Sequence, residues 1–177
     1  MGGTNTVWSW TAEPTATCDP FLQVNLGGGP ASITGSIWVR PVKLGTTEDV
    51  LELTRLQTGT HPGASLALQM RRGVEGGISG ADLVVKSPLQ SAVIVLGDMP
   101  LNEWRHVKLT LSILGGVSRV SARYGKTTEA TDAAVTMPAT QPGAVGEPTT
   151  YFMLFQPQGL VASSTQIDID EMVVTYP

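Results

Sequence analysis

Cysteine is almost absent from this chain of 177 residues. Cys18 is the only one, so no disulfide can form within the chain and stability has to come from a buried core. Charge is scarce as well: 11 basic and 15 acidic residues leave a net charge of −4. The only adjacent basic pair is Arg71-Arg72, too short for a phosphate-tracking stripe, so nucleic-acid binding is not expected. No apolar run approaches the ~20 residues that span a bilayer, so neither is membrane insertion. The two histidines, His61 and His106, make no zinc pattern with one cysteine. Gly125-Lys-Thr127 is preceded by Val120 where a phosphate loop needs glycine. There is no Gly-x-Ser-x-Gly elbow. Met1-Gly-Gly has neither the basic start nor the apolar stretch of a signal peptide, and no apolar stretch precedes Thr15-Ala-Thr-Cys18, which has the outline of a lipoprotein cleavage site.

Turn formers and alternation are abundant. The chain has 20 glycines and 12 prolines. Between them run short segments with apolar residues at every second position, the period of a half-buried strand. Such segments lie at 21–26, 33–39, 50–56, 66–71, 83–86, 92–96, 107–113, 117–124, 151–155 and 167–176, with a short one near Val135. Pro41 should stop the second of these, glycine-rich turns are expected at 73–80 and 97–100, and Gly115-Gly116 should close a hairpin. In 50–56, Leu51 and Leu53 should face inward, Glu52 and Thr54 outward. No amphipathic helix of about ten residues is visible. The expectation is an all-β, two-sheet antiparallel jelly-roll sandwich of about ten to twelve strands. Residues 1–17, with Trp8 and Trp10, form an arm or edge strand, and residues 18–177 the sandwich.

Three segments carry a family likeness. Ser36-Ile-Trp-Val-Arg-Pro41, Trp104-Arg-His-Val-Lys-Leu109 and Ile169-Asp-Glu-Met-Val173 appear in the order and spacing of strands in the concanavalin A-like, laminin-G-like jelly rolls, which this chain resembles from about residue 20 onward. Phe21-Leu-Gln23 departs from the acidic opening common there. In such a motif Trp104 would seal one end of the core. The resemblance implies a structural calcium ion at Asp170. Asp168 shares its strand face in a regular strand, so the two carboxylates, with backbone carbonyls, could hold it. An aspartate that merely satisfies the terminal strand is the other reading.

Catalytic likenesses are incomplete. Gln166-Ile-Asp-Ile-Asp-Glu171 is similar to the Glu-x-Asp-x-x-Glu strand of family 16 glycoside hydrolases, but Gln166 stands where the nucleophilic carboxylate belongs. Tyr151-Phe-Met-Leu-Phe-Gln156 is similar to a strand of jelly-roll alginate lyases, whose arginine-rich motif and Gln-x-His are missing here. A non-catalytic module outside the cytoplasm of a bacterium, secreted or in the cell envelope, therefore fits best. Its partner would be a carbohydrate or a surface protein. Trp38, Arg40, Glu52, Gln69, Arg71 and Arg123, the outward residues of their strands, are the candidate ligand-binding residues. A glycan hydrolase or polysaccharide lyase is one alternative, and a structural domain of a surface or viral assembly is another.

Overall fold

The computed structural model describes residues 8–11, 22–26, 32–44, 50–58, 65–72, 78–86, 93–114, 117–128, 133–138, 149–158 and 165–175. Cys18 and His61 lie outside them. Among the described residues there are twelve strands: β1 (Trp8–Thr11), β2 (Leu22–Leu26), β3 (Ser32–Lys43), β4 (Val50–Thr58), β5 (Ser65–Arg72), β6 (Ile78–Lys86), β7 (Ile94–Asp98), β8 (Arg105–Leu114), β9 (Val117–Gly125), β10 (Ala133–Pro138), β11 (Thr149–Gln158) and β12 (Gln166–Thr175). Sheet A has the order β1-β12-β3-β8-β9-β10 and sheet B the order β2-β11-β4-β5-β6-β7. All pairings are antiparallel. The chain is an all-β, two-sheet jelly-roll sandwich.

The core lies between the sheets because alternation gives strands such as β3 and β5 one apolar face. Along β3 every second residue is buried from Ile33 to Pro41. Val107 and Leu109 of β8 meet this face, while Leu51, Leu68 and Leu83 meet it from sheet B. The side chain of Leu111, expected beside Leu109, lies outside the described set.

Several boundaries differ from the sequence expectation. Pro41 does not end its strand: β3 continues to Lys43, and Pro41 pairs with Ile167 at a register shift, where a missing N–H is tolerated. β6 begins at Ile78, inside the expected glycine turn, and β7 runs on through Gly97 to Asp98.

The departure in β4 has the largest consequence. The register shifts between Glu52, which pairs with Ala67, and Thr54, which pairs with Leu66, so Leu53 is an extra residue. Thr54 is therefore buried rather than outward, and its hydroxyl has no hydrogen-bond partner. The extra residue also turns Arg55 to the face that Glu52 occupies, which a regular strand would not do.

The crossing from β7 to β8 is held by polar contacts. The Tyr124 hydroxyl donates to the Asp98 carbonyl and accepts from Arg105 Nε at 3.2 Å. Arg105 also donates to Glu103 at 2.7 Å. Met99 N–H donates to the Ala81 carbonyl at 2.9 Å, and Asn102 N–H to the Pro41 carbonyl at 2.7 Å. Asn102 has φ 61°, a left-handed conformation that asparagine tolerates. Gly97 lets this tyrosine pack close, since a Cβ there would lie 3.0 Å from the Tyr124 ring.

Candidate functional site

The outer face of sheet A carries a groove of about 260 Å³. Its floor comes from three adjacent strands in register. Asp170, Trp38 and His106 form one row, and Val173, Ser36 and Lys108 the next. Thr175, Thr34 and Thr110 form a third, in which the Thr34 and Thr110 hydroxyls share a hydrogen bond of 2.9 Å. β12 bulges between Asp170 and Val173. There Glu171 adopts φ 45° and its N–H donates to Asp170 Oδ1 at 2.8 Å. This strained turn sets the Glu171 side chain at the groove's rim.

Trp38 lies on the outer face because Ile37 and Val39 take the core. It is half-buried, with its ring centroid 5.2 Å from that of His106 at 56°. Burial lowers the His106 pKa below its ordinary value, Lys108 pushes the same way, and Glu171 opposes them. A neutral imidazole beside an indole, with an ammonium, a carboxylate and hydroxyls around them, offers an apolar platform ringed by hydrogen-bonding groups.

Arg40 lies one row further along. Its Nε donates to Asp168 Oδ2 at 3.0 Å, its Nη2 donates to the same oxygen, and the guanidinium carbon sits 4.8 Å from the Trp104 ring centroid. Trp104 thus bears a cation on the outer face and is not part of the core cluster, contrary to its expected role as a plug. Asp168 and Asp170 do share one face, as a regular strand requires. However, Asp168 is buried and engaged by Arg40, and Asp170 accepts from its neighbour's backbone. Among the described residues no group of three or more acidic, histidine or cysteine side chains could hold a metal ion. A calcium ion at Asp170 would have to draw most of its ligands from elsewhere in the chain.

The other candidates are divided between two faces. Arg123 is on the outer face of sheet A, directly opposite Lys108. Glu52, Gln69 and Arg71 are on the outer face of sheet B. The six therefore cannot converge on one ligand, because the sandwich core separates them. Alternation tells which residues leave the core but not which sheet they leave from.

On sheet B, Glu52 is 2% exposed, and its register partners Ala67 and then Val84 are fully buried. Glu52 accepts from Arg55 Nε at 3.0 Å. Arg71 pairs with Asp98 and lies 3.6 Å from Asp82. It crosses Gly80, where a Cβ would come within 2.7 Å of Nη2. Gln69 is exposed beside Asp82. The middle of this face is closed, and Arg55 and Arg71 on it are matched by acids.

Sequence reasoning missed His106, Lys108 and Glu171 as groove residues. The first two were legible in the alternation that puts Val107 and Leu109 inside. Glu171 depends on a bulge that nothing in the sequence announces. No helix among the described residues is long and apolar enough to cross a membrane.

No family model matches the chain, and no curated protein does. Solved structures do match in fold. An alginate lyase of polysaccharide lyase family 7 superposes with a TM-score of 0.62 at 12% identity, over 96% of this chain and 79% of that one. The alginate lyase from Klebsiella pneumoniae gives 0.58 at 8% identity, over 84% and 61%. The CBM2 module of the evolved Dit of Lactobacillus casei BL23 phage J-1 gives 0.55 at 11%, over 87% and 67%. At such identities the likeness shows the fold alone, a jelly-roll sandwich. The chain spans about three-fifths of the length of the Klebsiella enzyme.

Proposed function

We propose that this jelly roll is a non-catalytic carbohydrate-binding module, with its ligand in the sheet A groove. The observation that carries this is the half-exposed Trp38 ring set among His106, Lys108, Ser36, Thr34 and Glu171. Sugar rings present an apolar face and a hydroxyl edge, and such a site meets both. Burial at the centre of sheet B's outer face supports placing the ligand on sheet A. Carbohydrate-related structural neighbours support a carbohydrate partner, which a bacterial module secreted or held in the cell envelope would meet outside the cytoplasm. Hydrolysis needs a pair of carboxylates across the scissile bond. Glu171 is the one carboxylate among the groove's described lining residues, which supports binding over hydrolysis.

A glycan array tests this. Wild type should retain a subset of glycans, Trp38→Ala should lose them, and Gln69→Ala should keep them. Loss in Gln69→Ala with retention in Trp38→Ala would move the site to sheet B. Several alginate lyases among the structural neighbours support a polysaccharide lyase as the second reading. Unsaturated uronate released from alginate, followed by ultraviolet absorbance, would establish that reading and end the first.

A further inference from the structure

Basic side chains gather on the outer face of sheet A where β8 and β9 run side by side. Lys108 projects from β8, and Arg119 and Arg123 from β9, with Thr110 and Ser121 between them. Lys108 and Arg123 are direct cross-strand partners. Like charges placed directly opposite each other weaken a sheet, so the pair is not there to stabilise the fold. Arg119 and Arg123 are exposed and Lys108 is half-buried. Arg40, Arg55, Arg71 and Arg105 all have carboxylate partners. Among the described residues Lys108, Arg119 and Arg123 have none.

This concentration runs against the sign of the whole chain, which is −4. Among the described residues the acids of the same face lie on β12. Asp168 is held by Arg40, Asp170 caps its neighbour's N–H, and Glu171 stands on the side of the groove away from β9. Trp38 on β3, Lys108 on β8 and Arg123 on β9 occupy consecutive strands. At ~4.8 Å per strand the three span ~10 Å, the reach of a short oligosaccharide.

We propose that the ligand of this face is an anionic polysaccharide. One sugar ring packs on Trp38, and the negative groups of the next units lie over Lys108 and Arg123. This deepens the carbohydrate reading above and rests on it. Carboxylate, sulfate and phosphate would all satisfy the two cations, and the choice among them is left to the probes.

The test measures affinity by titration calorimetry for polygalacturonate, dextran sulfate and a phosphomannan, with neutral dextran and a single-stranded oligodeoxynucleotide as comparators. Wild type should bind at least one anionic polysaccharide more tightly than dextran or the oligonucleotide. Its affinity should fall roughly tenfold from about 50 to about 200 mM salt, the scale of counterion release by two cations. Lys108→Ser with Arg123→Ser should lose about tenfold in affinity without lowering the melting midpoint. Glu171→Gln, which removes the opposing charge, should tighten binding. Equal affinity for dextran, or a double variant that binds like wild type, overturns the inference while leaving the carbohydrate reading intact. Equal or tighter binding of the oligonucleotide makes the patch a nucleic-acid site and overturns it too. Failure to bind any polysaccharide overturns both.

Discussion

Glu52 and Arg55 are three residues apart on one strand, yet they face each other across the outer surface of sheet B. In a regular strand residues at that spacing point to opposite faces. The bulge at Leu53 reverses the parity, so a charge that alternation assigns to the core is delivered to its partner outside it. The cost falls on Thr54, which the same bulge turns inward.

Thr54→Val should therefore stabilise the protein. The hydroxyl is buried without a partner, and valine replaces it with a group of similar shape. A gain of about 1 kcal/mol is expected by urea denaturation. A loss of similar size would mean that the hydroxyl has an acceptor.

Leu109→Ala should cost about 2–4 kcal/mol, because Leu109 is fully buried between the sheets and its removal leaves a cavity. The same denaturation experiment reads it. A change below about 1 kcal/mol would contradict a packed core at β8.

His106 should make stability pH-dependent. Its folded pKa lies below the ordinary value of 6.5, with burial the largest cause and Lys108 the second, against Glu171. The unfolded chain thus takes up its proton first as pH falls. Stability is full above 6.5 and declines as pH drops from there toward the folded pKa. Melting midpoints across this window should fall in wild type and fall less in His106→Gln. Parallel curves would exclude His106 as the cause.

Calcium should leave the melting midpoint unchanged, since Arg40 already neutralises Asp168 and Asp170 is turned to its own backbone. Melts with added calcium and with a chelator are expected to coincide. A calcium-dependent rise abolished by Asp170→Asn would instead show that residues beyond β12 complete a site there.

Much of this architecture is legible in the alternation of single strands. β3 buries the residues its period assigns, β8 does so at Val107 and Leu109, and the same count extended back from Val107 places Arg105 on the core side, where it meets Tyr124. What the pattern cannot hold is an extra residue. The bulges at Leu53 and beyond Asp170 shift every later side chain, and they decide where Thr54, Arg55 and Glu171 point. Nor does period 2 say which strands share a sheet. Trp38 and Glu52 look equivalent as outward residues, yet they end on opposite sides of the molecule. The groove is legible only once β12, β3 and β8 are known to be neighbours.

The place of β12 between β1 and β3 has a kinetic side. Arg40 meets Asp168 across 128 residues of chain, so β3 leaves the ribosome long before the strand that flanks it has been made. Until then one side of β3 is an open ladder of unpaired amides and carbonyls, the kind of edge that recruits strands from other chains. Closing contacts this distant is slow, on the scale of milliseconds to seconds for all-β domains. Expression yield should therefore depend more on temperature and chaperone supply than the stability of the finished sandwich would suggest.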